Sequence, residues 1–323
     1  MRIAVTGGTG VVGTAVIRHL VGAGHEIRAL VRSEAAGAAM SAAGVEPVVG
    51  DLLDRDSLDR LVAGSQWVFN IAGVNQLCPA DPDLLWQVNV EGARGVMEAC
   101  RRAGVARLIH TSSAVTIGEG KGTVGTESST HRGHYLSHYE RTKTESETLV
   151  LTDAVDLDVV VVNPSSVQGP GRVTGTGRLL LEAARGRMPV MVDTTFSLVD
   201  IDDCARGHLL AAEQGQSGER YLLSGSTMTT RDALGLLALI TGRPSRARFL
   251  KPSVFSALGS TVGGVWSLTG RQAPICREAV RVLLHGHAYD GSRATRELGL
   301  EYTPVEETLR RTYEWFATEG LLS

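Results

Sequence analysis

Tyr139-Glu140-Arg141-Thr142-Lys143 sets a phenol and an ammonium four residues apart, so on a helix both stand on one face. A free tyrosine, with a pKa near 10, is a poor acid or base at neutral pH. A cation beside it favours the phenolate and prepares the group for proton transfer. About 26 residues earlier, a predicted strand ends in Thr111-Ser112-Ser113. A hydroxyl there can hold a substrate carbonyl against the tyrosine. Tyr-x-x-x-Lys alone also describes an ordinary amphipathic helix, so the chemistry depends on what else the chain brings to that place.

A second group of residues supplies the context. Directly after the first predicted strand, Thr6-Gly7-Gly8-Thr9-Gly10-Val11-Val12-Gly13 holds a G-x-x-G-x-x-G spacing (Gly7, Gly10, Gly13) and, overlapping it, G-x-G-x-x-G (Gly8, Gly10, Gly13). Such a turn lets the backbone approach a pyrophosphate, while the following helix aims its free N–H groups at the phosphates. Strand, turn and helix in that order mark a dinucleotide site, with Gly7, Thr9, Gly10, Val11, Val12 and Gly13 against the cofactor. Where an acidic residue would bind an adenosine ribose, the second strand ends in Arg32-Ser33. A guanidinium there suits a 2′-phosphate, so NADP(H) is expected ahead of NAD(H). Asp51 and Leu52 follow the third strand and suit the adenine edge. Ile71, Ala72 and Gly73 close the fourth, where the cofactor should lie. A positively charged nicotinamide would add to Lys143 in favouring the Tyr139 phenolate.

The elements that must position these groups alternate along the first half. Strands are predicted at Arg2–Val5, Glu26–Val31, Glu46–Val49, Trp67–Ile71, Arg107–His110 and Asp158–Val162. Helical patterns at Val12–Val21, Ser57–Val62, Leu85–Ala103 and Tyr139–Leu149 separate them. That rhythm predicts an α/β fold, a Rossmann-type doubly wound parallel sheet, and the valines 159–162 suit a strand buried on both faces. After Asn163 the rhythm breaks into a Gly- and Pro-rich stretch. One more unit follows (Phe196–Val199, Asp202–Glu213), then a surface connection at Gln214–Arg220. Helical patterns at Thr230–Thr241, Val254–Leu268, Arg277–Leu284 and Val305–Ala317 complete the chain. The expected division is a dinucleotide-binding domain over 1–165, rejoined by about 195–214, and a smaller α-rich substrate lobe over 166–194 and 215–323.

Composition narrows the function classes. The 323 residues carry 32 Lys+Arg against 35 Asp+Glu, a net charge of −3, which gives no basic surplus for nucleic acid. The 38 glycines are well above the usual ~7%, in keeping with many tight turns. Cys78, Cys100, Cys204 and Cys276 lie far apart without a CxxC pair, so neither a zinc cage nor a disulfide framework is expected, and the thiols suit a reducing cytosol. Val254–Leu268 is too short and too polar for a membrane span. MRIAVTGG runs straight into a strand pattern without an apolar leader, so a soluble cytoplasmic protein is expected.

Taken together, TGGTGVVG, HEIRALVRS, GDLLD, NVEGAR, HTSSAVTIG, YERTK, NPSSVQGPG, LVDIDDCARGHL and RELGLEYTPVEETLRRTYEWF resemble an extended short-chain dehydrogenase/reductase of the NAD-dependent epimerase/dehydratase type, nearest its dihydroflavonol-reductase-like branch. The resemblance implies a triad. Ser113 would orient the carbonyl, Tyr139 would act as general acid in reduction, and Lys143 would bond the nicotinamide ribose and tune Tyr139. It also implies Thr111, Pro164, Ser165 and Val167 beside the cofactor, and Asn89 as a structural, cofactor-proximal residue. Ile117 departs from the tyrosine that related epimerases often carry, which disfavours a sugar-nucleotide epimerase. A homodimer pairing helices 85–103 and 139–149 is a further implication.

The chemistry expected is hydride transfer between NADP(H) and the carbonyl or alcohol of a small organic substrate. The alternative is a sugar-nucleotide epimerase or dehydratase with retained NAD, which would need a diphosphate surface such as Arg172, Arg178, Arg246 and Arg248 could form. A redox-sensing binding protein is a third reading, which the Tyr/Lys pair disfavours. His131, His134 and His138 cluster ahead of the tyrosine, but nothing completes a zinc pattern, so no metal is expected. Asp200, Asp202 and Asp203 suit the start of a helix. Asn75, His134, Gln168 and Arg172 lie on loops facing the predicted pocket and are the candidate substrate contacts.

Overall fold

In the computed structural model, which describes residues 1–257 and 276–323, the apolar runs become seven parallel strands. Numbered along the chain, they are β1 (Arg2–Thr6), β2 (Glu26–Val31), β3 (Glu46–Val49), β4 (Trp67–Asn70), β5 (Arg107–Thr111), β7 (Asp158–Pro164) and β11 (Arg220–Leu223), in the sheet order β11-β7-β5-β4-β1-β2-β3. Alternate side chains feed two separate cores. Ile3, Val5, Val160 and Val162 pack on one face, with Val16 and Leu20 of α1 (Val11–Gly22). Ala4, Val159 and Val161 pack on the other, with Leu58 and Leu61 of α3 (Arg55–Val62). This two-sided burial explains the run of valines. The order reverses between β1 and β4, which opens a crevice at the carboxyl ends of those strands.

Several elements differ from expectation. Strand β11 lies in a segment assigned from sequence to the smaller lobe, yet Tyr221 pairs with Val162 at the edge of the main sheet. It is four residues long, opens on the charged Glu219-Arg220 pair and is followed by Ser224-Gly225, so it carries little strand signal. Thr195–Asp200 (β10) instead joins a second sheet, parallel to Ser166–Gln168 (β8) and antiparallel to Ser226–Thr229 (β12). The helix after it, α8 (Ile201–Gln214), packs on α1. Three helices lie outside the expected patterns: α2 (Glu34–Ala42), α7 (Thr176–Ala184) and Ser292–Leu298. The expected helix over 85–103 is α4 (Pro82–Trp86), a π-helical turn at Gln87–Glu91, and α5 (Gly92–Ala103). The expected helix Val254–Leu268 lies outside the described residues beyond Ala257. No described helix is long and apolar enough to cross a membrane.

The cysteine reading needs correction. Cys78 and Cys276 form a disulfide across 198 residues of sequence, whereas Cys100 and Cys204 are free and buried. Sequence spacing holds no trace of a pair that only the tertiary fold brings together.

Buried polar staples lock the strand ends. Glu147, on α6 (His138–Thr152), accepts from Ser112 Oγ (2.5 Å), Thr116 Oγ1 (2.7 Å), Asn163 Nδ2 (2.6 Å) and Arg220 Nη1 (2.9 Å). It thus joins β5, β7 and β11 to one helix. His208, on α8, donates from Nδ1 to the Cys204 carbonyl (2.7 Å), which leaves Nε2 to accept from Thr111 Oγ1 (3.0 Å). Burial holds the His208 pKa down at about 4, so the imidazole is neutral in the fold. The unfolded chain takes up that proton near pH 6.5. Stability is therefore intact above that pH and falls as pH drops from about 6.5 toward 4. Urea unfolding at pH 7 and pH 5 should differ by roughly 2 kcal/mol from this residue. In His208→Gln the acid-side slope should flatten by that amount; an unchanged slope would refute the assignment.

Candidate active site

The glycine turn is shaped by what its side chains would strike. Gly7 has φ +70°, and a Cβ there would stand 2.6 Å from the Ala72 nitrogen. A Cβ on Gly13 would collide with the Gly7 carbonyl, and one on Gly8 would come within 2.7 Å of Ile17 Cδ1. Gly10 enters α1 in an extended conformation without a side-chain cap. The N–H groups of Val11, Val12 and Gly13 therefore have no i−4 carbonyl partner within the helix, as an anion site at a helix N-terminus requires. Thr14 Oγ1 donates to the Gly8 carbonyl (3.0 Å) and closes the turn. Thr9 is exposed at its rim. This cradle, which any Cβ would fill, fits a dinucleotide pyrophosphate.

A hydrogen-bond chain fixes the opposite wall. Ala72 N–H donates to Thr6 Oγ1 (3.2 Å), which donates to Asn70 Oδ1 (2.6 Å). Asn70 Nδ2 then donates to His110 Nδ1 (3.1 Å), which leaves His110 Nε2 to donate to Ser146 Oγ (3.2 Å). Burial, with Lys143 nearby, pushes the His110 pKa well below its usual value, in keeping with a neutral ring. Ile71 and Ala72 are thereby placed against the glycine turn, while Gly73 faces Asn89 and Lys143.

At the adenosine end, Arg32 is exposed at the end of β2 and forms no ion pair or hydrogen bond among the described residues. Asp51 is exposed and accepts from Leu53 N–H (2.9 Å). Leu52 packs tightly on Gly92, where a Cβ would come within 2.6 Å of it.

The triad stands at the ends of β5 and α6. Ser113 is buried, and its hydroxyl is hydrogen-bonded to Tyr139. Burial raises the phenol's pKa, while the Ser113 bond and the charge of Arg172 act to lower it. Lys143 is buried and donates from Nζ to the Thr111 carbonyl (2.7 Å); burial draws its pKa down to about 8, against a raising effect of Glu147. Thr111 thus steers the lysine with its carbonyl, while its hydroxyl is committed to His208. Asn89 lies in the π-helical turn. Its Oδ1 accepts from Val74 N–H (2.8 Å), and its Nδ2 donates to the Val74 carbonyl (3.1 Å) and Thr142 Oγ1 (3.0 Å). These bonds hold Gly73 so close that a Cβ there would stand 3.9 Å from Lys143 Nζ.

The remaining candidates divide. Pro164 ends β7, Ser165 N–H donates to the Leu223 carbonyl (2.9 Å), and Val167 pairs with Val199 in the second sheet. Arg172 is half-buried within electrostatic reach of Tyr139, and its buried Nε has no hydrogen-bond partner among the described residues. Gln168 is buried, with Nε2 donating to Ser166 Oγ (2.9 Å) and Thr176 Oγ1 (2.6 Å). Asn75, His134 and His138 are exposed, and His131 packs on Gly118. The three histidines do not bring ligand atoms together. Asp200 caps α8 through Asp202 N–H (2.8 Å). Sequence reasoning missed Glu147, although Tyr139, Lys143 and Glu147 recur at i, i+4 and i+8, a spacing that marks one helix face.

Comparison with known proteins agrees with this geometry. A profile of the NAD dependent epimerase/dehydratase family matches residues 3–224. A Synechocystis protein named putative dihydroflavonol 4-reductase is 33% identical, over 98% of this chain and 94% of its own length. Sterol demethylase protein B of Methylococcus capsulatus is also 33% identical, over all of both chains. The crystal structure of gox2253 superposes with a TM-score of 0.86 at 30% identity, covering 100% of this chain and 99% of that one. With its parallel seven-stranded sheet, glycine turn and Ser–Tyr–Lys constellation, this chain belongs to the NAD dependent epimerase/dehydratase family, the extended short-chain dehydrogenase/reductases.

Proposed function

We propose that this oxidoreductase of the epimerase/dehydratase family is an NADP(H)-dependent reductase of ketones or aldehydes, or the reverse alcohol dehydrogenase. The observation that carries the reading is the Ser113–Tyr139 hydrogen bond with buried Lys143 one helical turn away, beside a glycine turn shaped for a dinucleotide. The nicotinamide, when bound, supplies or accepts the hydride. The chain does the rest. Ser113 holds the carbonyl oxygen and stabilises the charge that develops on it. Tyr139 donates its proton to that oxygen, and its raised pKa keeps it protonated at neutral pH for reduction. Lys143, steered by the Thr111 carbonyl, holds the nicotinamide ribose. A retained NAD, the mark of the epimerase alternative, finds no support in Arg32.

Tyr139→Phe should lower kcat for NADPH-dependent ketone reduction by about 10²–10⁴-fold, with NADPH affinity within a few fold by fluorescence titration. Near-normal turnover in that variant would sink the assignment. The unpaired Arg32 supports the 2′-phosphate preference. Arg32→Ala should raise KM for NADPH by about 10–100-fold, the worth of a charge-assisted hydrogen bond, and leave KM for NADH unchanged. Equal effects on both cofactors, or stoichiometric NAD⁺ released from the denatured protein, would overturn the NADP reading.

Arg172 extends the reading to the substrate. It is a half-buried guanidinium near Tyr139 that makes no ion pair among the described residues. Its charge favours a carbonyl compound that also bears an acidic group. Arg172→Gln should raise KM for 3-oxo acids about tenfold or more and spare their neutral esters; parallel losses for both would refute that role.

A further inference from the structure

The loop that leaves Ser113 makes a short 3₁₀ turn at Ala114–Ile117, bends at Gly118 with φ +62°, and delivers Glu119 into the interior. There it meets two histidines from a distant part of the chain. His285 ends the helix Arg277–His285, and His287 follows Gly286, whose φ of +73° turns the chain back into the short strand Ala288–Tyr289. His287 Nδ1 lies 2.6 Å from Glu119 Oε1, and His285 Nε2 lies 3.7 Å from the same atom. One ligand atom from each of the three residues falls within 4.8 Å of the other two.

The hydrogen bonding of this cluster is incomplete. The Glu119 side chain is 1% exposed, and its second oxygen, Oε2, has no hydrogen-bond partner among the described residues. The nearby guanidinium of Arg132 is paired with Glu140 and reaches Glu119 through the backbone carbonyl (3.3 Å). Tyr289 adds a phenol stacked on His287, with its hydroxyl 3.1 Å from His287 Nδ1. An ionised carboxylate removed from water needs a counter-charge.

We propose that Glu119, His285 and His287 bind a divalent transition metal of the zinc type, with water as the fourth ligand. Two imidazole nitrogens and one carboxylate are a zinc donor set. Bonds of about 2.0–2.1 Å place tetrahedral ligand atoms roughly 3.3 Å apart, between the two separations seen here, so small side-chain rotations complete the geometry. The ion sets positive charge beside the buried carboxylate, and binding through both carboxylate oxygens would also give Oε2 a partner. It fastens the loop after Ser113 to the C-terminal part of the chain, so its role is to position that loop. It takes no part in hydride transfer, and the site is independent of the reductase reading.

The test uses the untagged full chain, freed of metal by chelator dialysis and titrated with Co²⁺ and then Zn²⁺. The expected result is one Co²⁺ per chain with the visible bands of a tetrahedral nitrogen–oxygen site. Zn²⁺ should displace it and raise the thermal midpoint by several degrees. His285→Ala and His287→Ala should each weaken Co²⁺ binding at least 100-fold, whereas the exposed His134→Ala should bind as the parent does. Should the alanine variants misfold, X-ray absorption of the zinc-loaded parent decides the matter, with two imidazoles in the metal shell expected. Sub-stoichiometric Co²⁺ binding, binding undiminished in the folded variants, or a shell lacking imidazole would overturn the proposal.

Discussion

One buried carboxylate holds together the end of this molecule that carries Ser113, Tyr139 and Lys143. Glu147 receives four hydrogen bonds from three strand ends and the loop that follows β5, and it does so from the helix that carries Tyr139 and Lys143. A charge in that position is tolerable only because Arg220 and three neutral donors satisfy it. Once they do, the positions of Ser112, Asn163 and α6 are no longer independent of one another. Ser113, adjacent to Ser112 and with its carbonyl accepting from the Thr116 backbone N–H (3.1 Å), inherits that fixed position. The placement of Ser113, Tyr139 and Lys143 is a consequence of a network one layer below them.

The cofactor side obeys a different constraint, that of space. Gly7 and Gly13 are required by how closely backbone segments approach one another, whereas Ala72 is held through Thr6, Asn70 and His110, none of which faces the crevice directly. Buried neutral histidines recur in this role. His110 and His208 each bridge a strand end to a helix, with one nitrogen donating and the other accepting. Their neutrality is what allows two-sided bonding.

What could be read from the sequence follows from how local each signal is. The glycine turn, the Tyr139/Lys143 pair and the alternating elements depend on neighbours within a few residues, and all appear in the fold. The edge strand Arg220–Leu223 was not legible, because its four residues carry no distinctive alternation and its partner is Val161–Pro164. The Cys78–Cys276 bond and the approach of Glu119 to His285 span 198 and 166 residues, and no spacing rule reaches that far. Gln168 reads as a loop residue because Gly169 and Pro170 follow it, yet it lies in β8 and braces that strand against Thr176 of α7. The π-helical turn at Asn89 was hidden within an otherwise regular helical pattern.

Strand β7 does not end where the main sheet ends. After the single residue Ser165 it continues as β8 in the second sheet, and beside it β10 passes through Asp200 directly into α8. The two sheets are therefore spliced where β7 runs on into β8, and the chain from β11 to β12 crosses beside it. Bending one lobe toward the other about this seam would shear the pairing of Val167 with Val199. The seam thus sets a cost, in broken strand pairing, on any hinge motion between the two sheets.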